Sequence, residues 1–314
     1  MKTLLITGAS GFLGWHVCRA ASKNWNVWGT SFSKQLKADD FKVLKIDLTD
    51  FKALKQLFRT VTPDGVIHTA AASDPEFCEV NPEETQKLNV DATVNIAGLC
   101  CDHDLPFVFT SSDLVFGGQN APYKETDPVG PVSIYGEQKV AAENGILDRY
   151  PIAAVCRLPL MFGSAGPTSS SFIQPMLEAM KVGRPLNLFL DEFRTPTSVK
   201  AATAGLFLAL ERVKGIIHLG GKESLSRYDF GRLLARIFKM DHTKLIPCRQ
   251  DDIKTIAPRP ADVSLDSRKA FALGFNPSPL ASELKKIYND SPWFKNDFTT
   301  ESQRTQRNKF YQNS

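Results

Sequence analysis

The sequence predicts an α/β protein, in which a doubly wound parallel sheet is followed by a smaller C-terminal lobe. Strand-like and helix-like segments alternate through the first half, a glycine-rich turn follows the first of them, and the second half is less regular. At roughly 150 residues per domain, the 314 residues correspond to two domains or to one α/β domain with an added lobe.

Short apolar runs in the first half have the length and β-branched content of buried strands. They are Thr3–Thr7, Asn26–Thr30, Phe41–Ile46, Gly65–His68, Pro106–Ser111 and Ile152–Arg157. Apolar residues at helical spacing predict helices between these runs. The predicted helices are Gly11–Ser22, Asp50–Thr60, Pro82–Asp102 and Tyr135–Tyr150. This alternation favours a parallel sheet that is covered by helices on both faces.

The second half is predicted to form most of the smaller lobe. Ser164–Ser171 is rich in Gly, Pro, Ser and Thr, which is typical of a loop. Helices are predicted at Phe172–Val182, Ser198–Val213 and Ser226–Phe238, and a short strand at Ile216–Leu219. We therefore divide the chain into a first domain, a lobe and, because residues 298–314 are polar, a flexible tail. The first domain covers 1–160, and about 198–220 is expected to return to it. The lobe covers 161–296 and the tail covers 297–314.

Composition excludes several classes of protein. Lys plus Arg is 38 and Asp plus Glu is 34, so the net charge is +4, which does not predict nucleic-acid binding. No apolar stretch approaches the roughly 18 residues of a membrane span. The six cysteines form no CxxC pair, and Cys100 and Cys101 are adjacent, which favours reduced thiols and a cytoplasmic location. The histidines do not cluster, so we expect no metal site.

The turn after the first strand predicts a dinucleotide site. Thr7–Gly14 has the spacing GxxGxxG and leads directly into a predicted helix. A pyrophosphate needs backbone N–H groups and a helix N-terminus close to it, and side chains larger than glycine would block that approach. The alternative is a glycine-rich turn without a ligand. The residues predicted to contact the cofactor here are Gly8, Ser10, Gly11, Phe12, Leu13 and Gly14.

The end of the second strand predicts which dinucleotide binds. An acidic residue about 20 residues after the turn would favour NAD, but no acid precedes Asp39. Ser31, Ser33 and Lys34 would instead accept a 2′-phosphate. We therefore predict NADP(H), with NAD(H) as the second choice.

Two further segments are candidates for cofactor contact. Asp47 and Leu48 follow the third strand, where the carboxylate could accept from the adenine amino group; the alternative role of a helix cap suits Asp50 better. Ala70 and Ala71 end the fourth strand, where small residues would allow backbone to approach the ribose. Simple packing between helix and strand explains these alanines equally well.

Tyr135 and Lys139 are the candidate catalytic pair. They lie four residues apart at the start of a predicted helix, which places them on one face. A nearby ammonium favours the phenolate and is expected to lower the pKa of Tyr135. Ser111 and Ser112 end the fifth strand, where open α/β sheets form their sites. A solvated helix face is the alternative interpretation of the YxxxK pattern.

These motifs together resemble the extended short-chain dehydrogenase/reductase superfamily, and within it the dTDP-4-dehydrorhamnose reductase family. The resemblance covers nearly the whole chain except the tail. The segments on which it rests are Thr7–Gly14, Ser111–Phe116, Tyr135–Lys139, Arg194–Thr197 and Arg259–Asp266. It implies a Rossmann-type first domain that binds NADP(H), and a substrate-binding lobe.

The resemblance also implies roles for individual residues. Tyr135 would donate a proton to the substrate carbonyl, Lys139 would bind the cofactor ribose, and Ser112 would lie beside the carbonyl. Ser111 and Asp113 would contact the substrate. Arg194 would lie near the substrate's nucleotide portion, where bidentate contact with phosphate is chemically suitable. The alternative for Arg194 is a surface ion pair with Asp191 or Glu192.

The expected function is NADPH-dependent reduction of a nucleotide-activated 4-keto-6-deoxy sugar. Leu114 stands where the family usually has a tyrosine, and Lys200 where it usually has an aspartate, so the sugar and the base stay open. A sugar-nucleotide epimerase, a dehydratase with Asp113 as its extra acid, or another carbonyl reductase is an alternative. A second alternative is a non-catalytic NADP-binding regulatory subunit like that of methionine adenosyltransferase. The oligomeric state, including a homodimer, also stays open.

Overall fold

The computed structural model describes residues 1–290, so the predicted tail at 297–314 lies outside the described residues. Seven parallel strands form the central sheet in the order β11-β6-β5-β4-β1-β2-β3. These strands are β1 (Thr3–Thr7), β2 (Asn26–Ser31), β3 (Lys42–Lys45), β4 (Gly65–His68), β5 (Phe107–Ser112), β6 (Ala154–Leu158) and β11 (Gly215–His218). The predicted doubly wound α/β sheet is confirmed.

Helices cover both faces of this sheet. One apolar core lies under α1 (Phe12–Ala21), α8 (Val199–Arg212) and α10 (Arg268–Ala272). The other lies under α2 (Phe51–Val61), α5 (Thr93–Asp102) and α6 (Ile134–Arg149). The strands β4 and β5 are buried along their whole length, as apolar runs covered on both faces should be.

Local sequence explains where the helices begin. The side chain of Asp50 accepts hydrogen bonds from the backbone N–H groups of Lys52 and Ala53, which confirms Asp50 as the N-cap of α2. Ser133 caps α6 by accepting from the N–H of Gly136. Ser198 caps α8 by accepting from the N–H of Ala201. Each cap satisfies an N–H group that the helix leaves without a partner.

The helix predicted over Pro82–Asp102 is interrupted. It comprises α4 (Pro82–Gln86), a π-helical turn at Lys87–Ala92 and then α5. A further helix before it, α3 (Pro75–Val80), was not predicted from the sequence. Its N-cap is Asp74, whose side chain accepts from the N–H of Glu76.

The smaller lobe has its own apolar core. Two-stranded sheets pair β7 with β10, β8 with β13, and β9 with β12. Their bounds are β7 (Met161–Phe162), β8 (Leu186–Phe189), β9 (Phe193–Arg194), β10 (Thr197–Ser198), β12 (Leu225–Ser226) and β13 (Leu245–Cys248). The lobe helices are α7 (Ile173–Lys181), α9 (Arg227–Phe238) and α11 (Leu280–Asp290).

The sequence predicts reduced cysteines and no membrane-spanning segment. All six cysteines are free thiols, and five of them are buried. Among residues 1–290, no helix is long and apolar enough to cross a membrane.

Strand order defines where a ligand can enter. The chain runs outward from β1 through β2 to β3, then returns to the other side of β1 and continues through β4, β5 and β6. Open α/β sheets bind ligands at such a reversal, outside the carboxyl ends of the strands. The glycine turn therefore follows the strand at which the reversal occurs.

Candidate active site

The glycine turn, Thr7–Gly14, is closed so tightly that side chains are excluded from it. Gly8 has φ of +73°, and a Cβ there would lie 2.8 Å from the backbone of Ala70. A Cβ on Gly14 would overlap the carbonyl oxygen of Gly8. Gly11 is the N-cap of α1, and no side chain caps its first N–H groups. This turn and helix N-terminus fit the pyrophosphate of a dinucleotide.

A cavity of about 900 Å³ extends from this turn along the carboxyl ends of the strands. The structure brings every predicted cofactor-binding residue to its wall, together with Ser111. Those residues are Gly8, Ser10, Gly11, Phe12, Leu13, Gly14, Ser31, Ser33, Lys34, Asp47, Leu48, Ala70, Ala71, Tyr135 and Lys139. Their contact with a cofactor stays a prediction, but they share one continuous surface.

The loop at residues 164–171 closes one side of this cavity. The ammonium of Lys34 donates to the carbonyl of Thr168 at 2.7 Å. The hydroxyl of Thr168 in turn donates to the carbonyl of Ser10 at 2.8 Å. Lys34 therefore lies at the junction between β2, the glycine turn and the lobe. Asp47, which also lines the cavity, accepts from the backbone N–H and the hydroxyl of Thr49.

Tyr135 lines the cavity, and Ser112, which is not part of the cavity wall, lies beside it. The Ser112 hydroxyl lies close enough to Tyr135 to act against the rise of its pKa. Ser112 Oγ also accepts from the N–H of Leu114 at 3.2 Å and donates to Asp113 at 3.3 Å. Burial raises the pKa of Tyr135, and the nearby Cys78 and Asp113 raise it further. The expected lowering of this pKa by Lys139 is wrong, and Tyr135 is a protonated donor at neutral pH.

Lys139 lies beneath Tyr135 and is almost completely buried. Its Nζ donates to the carbonyl of Thr110 at 3.0 Å and lies 4.6 Å from the ring centroid of Phe109. The ring centroid of Tyr135 is 5.6 Å from the same atom. Burial lowers the pKa of Lys139 to about 8, while Glu143 acts to raise it. At neutral pH most molecules therefore keep a cation here.

Ser111 and Ser112 point in different directions, as successive residues of a strand must. Ser111 Oγ donates to Glu143 Oε1 at 2.5 Å. Ser111 is thus directed beneath α6, whereas Ser112 faces Tyr135. The structure gives Ser111 a partner other than the substrate that the resemblance implied.

Asp113 and Arg194 connect the sheet to the lobe. Arg194 Nη1 lies 3.2 Å from Asp113 Oδ2, and Arg194 Nη2 lies 3.5 Å from Glu192 Oε1. Burial raises the pKa of Asp113, and Arg194 opposes this rise. Neither Asp113 nor Arg194 is a surface group, so the alternative of a surface ion pair for Arg194 is wrong. The predicted pairing with Glu192 is present, but it is buried.

The family described as "RmlD substrate binding domain" matches residues 1–292. The chain belongs to this family.

The curated relatives of this RmlD-family chain include one that is named as a subunit and one that is named as a probable reductase. Methionine adenosyltransferase 2 subunit beta of Xenopus laevis is 31% identical over 281 residues, which are 87% of this chain and 83% of the relative. The probable low-salt glycan biosynthesis reductase Agl14 of Haloferax volcanii is 30% identical over 287 residues, which are 90% of this chain and 96% of the relative. Both relatives therefore align over most of their length.

Solved structures show the same fold. A hypothetical dTDP-4-dehydrorhamnose reductase from Sulfolobus tokodaii superimposes with a TM-score of 0.77 at 30% identity, covering 87% of this chain and 94% of that one. A dTDP-4-dehydrorhamnose reductase from Clostridium acetobutylicum gives a TM-score of 0.80 at 25% identity, covering 91% and 98%.

Sequence reasoning missed several residues at this RmlD-family site. Cys78, on the unpredicted α3, contacts the carbonyl of Ala72 at 3.4 Å, and its thiol lies close enough to influence the pKa of Tyr135. Asn89, in the π-helical turn, donates to Gln138 at 2.8 Å and accepts from the N–H of Ala72 at 2.8 Å. A π-helical turn is frequent at functional sites, but its position is not visible in the pattern of apolar residues.

Among residues 1–290, no group of three or more His, Cys, Asp and Glu side chains is arranged to hold a metal ion.

Proposed function

We propose that this RmlD-family chain is an NADPH-dependent reductase of a nucleotide-activated 4-keto-6-deoxy sugar. The observation that supports this proposal best is the position of Tyr135, which lines the cavity that begins at the glycine turn and lies beside Ser112 and above Lys139. A phenol, a hydroxyl and an ammonium that lie close together would suit a proton donor, a polarising group and a cation of such a reductase.

Each side chain has a distinct task in the proposed reaction. NADPH, when bound, would supply the hydride for the carbonyl carbon of the sugar. Ser112 Oγ donates a hydrogen bond that polarises the carbonyl oxygen, and Tyr135 transfers its phenolic proton to that oxygen. A raised pKa suits this role because the phenol stays protonated until the oxygen becomes basic. Lys139 binds the nicotinamide ribose and stabilises the phenolate that Tyr135 leaves behind.

The cofactor preference follows from the end of β2. Ser31, Ser33 and Lys34 line the cavity, and within residues 31–38 no acidic side chain opposes a phosphate. The chain's likeness to the structure named as a dTDP-4-dehydrorhamnose reductase and to the reductase Agl14 supports a substrate of the sugar-nucleotide class.

The test is oxidation of NADPH in the presence of freshly generated dTDP-4-keto-6-deoxy-L-mannose, followed by loss of the nicotinamide absorbance. Net oxidation at one equivalent per sugar reduced would support the proposal. An epimerase or dehydratase would instead convert a nucleotide sugar while its cofactor is recycled. Binding of NADPH without conversion of dTDP-4-keto-6-deoxy-L-mannose or of any other nucleotide sugar tested would reject the proposal.

A second candidate is favoured by the relatives named methionine adenosyltransferase 2 subunit beta. This chain would then bind NADP(H) and regulate a catalytic partner without turning over a substrate itself. The presence of both Tyr135 and Lys139 favours the reductase. Stable co-elution with a methionine adenosyltransferase catalytic subunit, combined with no turnover, would favour the regulatory subunit.

A further inference from the structure

Helix α6 carries a third titratable side chain that the proposed mechanism does not use. Glu143 lies four residues beyond Lys139, which itself lies four residues beyond Tyr135, so all three share one face of the helix. Glu143 is only 2% exposed.

The carboxylate of Glu143 is fixed by two neighbouring strands. Ser111 Oγ, on β5, donates to Oε1 at 2.5 Å. Arg157, on β6, contacts Oε1 and Oε2 through Nε at 3.0 and 3.2 Å, and contacts Oε2 through Nη2 at 2.7 Å. Ser111 and Arg157 are partners in the β5–β6 register, so adjacent strands present both donors to the same carboxylate.

Stability gives a weak reason for such a pair. Both side chains are 3% exposed, so each ion lost most of its hydration on folding. A buried ion pair is often no more stable than well-packed apolar residues of similar volume. The arrangement is better explained by what the charge of Glu143 does to a neighbour.

That neighbour is Lys139, whose other surroundings supply no anion. The Nζ of Lys139 contacts a backbone carbonyl and two aromatic rings. On β4, His68 has its pKa lowered to about 3 by burial and is neutral at pH 7. On α3, Cys78 acts on Lys139 only as a thiolate, and burial raises the pKa of this thiol. Within residues 1–290, Glu143 is thus the anion that supports the Lys139 cation at neutral pH.

We propose that Glu143 is a positioning residue that keeps Lys139 protonated, and that it thereby sets the upper pH limit of NADPH binding and turnover. The inference rests on the proposed function, because it assigns Lys139 to the cofactor. Ser111 and Arg157 hold the carboxylate one helical turn from Lys139.

The first test compares Glu143→Gln with Glu137→Gln, a change of the same charge at an exposed position of the same helix. The glutamine at position 143 still accepts hydrogen bonds but has no charge. We expect the alkaline limb of NADPH affinity, measured by calorimetry, to move down by about one pH unit in Glu143→Gln only. An alkaline limb at the wild-type position in Glu143→Gln would overturn the inference.

The second test needs no ligand, so it separates failure of this inference from failure of the proposed function. Below about pH 7 Lys139 is charged in the wild type and in Glu143→Gln, but only the wild type has the carboxylate that stabilises this charge. Above the folded pKa of about 8 Lys139 is neutral in both proteins. The deficit in unfolding free energy relative to wild type should therefore shrink as the pH rises through this range. A deficit independent of pH would indicate a structural role only and would overturn the inference.

A double variant guards against misfolding. If Glu143→Gln does not fold because Arg157 loses its counter-ion, Glu143→Gln with Arg157→Gln leaves a neutral pair at the same place. The same direction of shift in both readouts supports the inference, and wild-type pH dependence in this double variant rejects it. If the wild-type protein fails to bind NADPH, the proposed cofactor is wrong, and the unfolding measurement still decides the role of Glu143.

Discussion

Asp113 and Arg194 form a buried ion pair that joins the end of β5 to β9 of the smaller lobe. Their side chains are 5% and 8% exposed, and Oδ2 and Nη1 lie 3.2 Å apart. Asp113 also accepts a hydrogen bond from Ser112, which lies beside Tyr135. The lobe is thus connected through two side chains to the hydroxyl proposed to polarise the substrate.

Removing Arg194 should be costly, because Asp113 would be left buried without its counter-ion. We expect Arg194→Met to lower the free energy of unfolding by about 3–5 kcal/mol. The control is Arg19→Met, whose ion pair with Asp40 is largely exposed, and whose loss should cost less than about 1 kcal/mol. Urea unfolding measures both. Equal, small losses in the two variants would contradict a structural role for the buried pair.

Loss of the Tyr135 hydroxyl should abolish most turnover and leave cofactor binding nearly intact. We expect Tyr135→Phe to reduce kcat by about 10²–10⁴-fold, the usual contribution of a positioned general acid. The ring, which lies above Lys139, is retained. Tyr150→Phe is the control. Tyr150 follows the C-terminal end of α6, far from Tyr135, and its hydroxyl donates to the carbonyl of Leu105. Unchanged turnover in Tyr135→Phe would remove Tyr135 from the mechanism.

The sequence predicts the parts of this protein that depend on local patterns. The glycine turn and the Tyr135–Lys139 spacing are each defined within eight residues or fewer, so both could be identified without the fold. The Glu143–Arg157 pair could not, because a charged residue in a helical pattern is normally expected on the solvated face. Only the β5–β6 register and the packing of α6 show that it is buried.

Short elements of the lobe were missed for a related reason. The strand β8 pairs in parallel with β13, which lies more than fifty residues further along the chain. Each has four residues, which is too few for an alternating pattern to stand out from a loop. The pairing is created by tertiary contact, so no local signal records it.

Lys34 should determine the preference for NADPH over NADH. It lies on the cavity wall, where its ammonium donates to the carbonyl of Thr168. A 2′-phosphate would offer a stronger, charge-assisted partner. We expect Lys34→Ala to raise KM for NADPH about tenfold, equivalent to about 1.4 kcal/mol, with little change for NADH. Lys37→Ala, at an exposed position nearby, is the control. A wild-type protein that uses NADH equally well would contradict the preference.

His68 should make the folded protein sensitive to mild acid. Burial lowers the pKa of His68 to about 3, and its two ring nitrogens contact the hydroxyls of Thr7 and Thr93. Between the folded value and the ordinary value of 6.5, only the unfolded chain takes up a proton, so stability falls as the pH falls. Each pH unit below 6.5 should remove about 1.4 kcal/mol of unfolding free energy on account of this group. His68→Asn should therefore lose less stability than wild type between about pH 6.5 and pH 5, as measured by urea unfolding. His103→Asn, at an exposed position, should follow the wild-type slope. If His68→Asn followed that slope too, His68 would be titrating normally in the folded state.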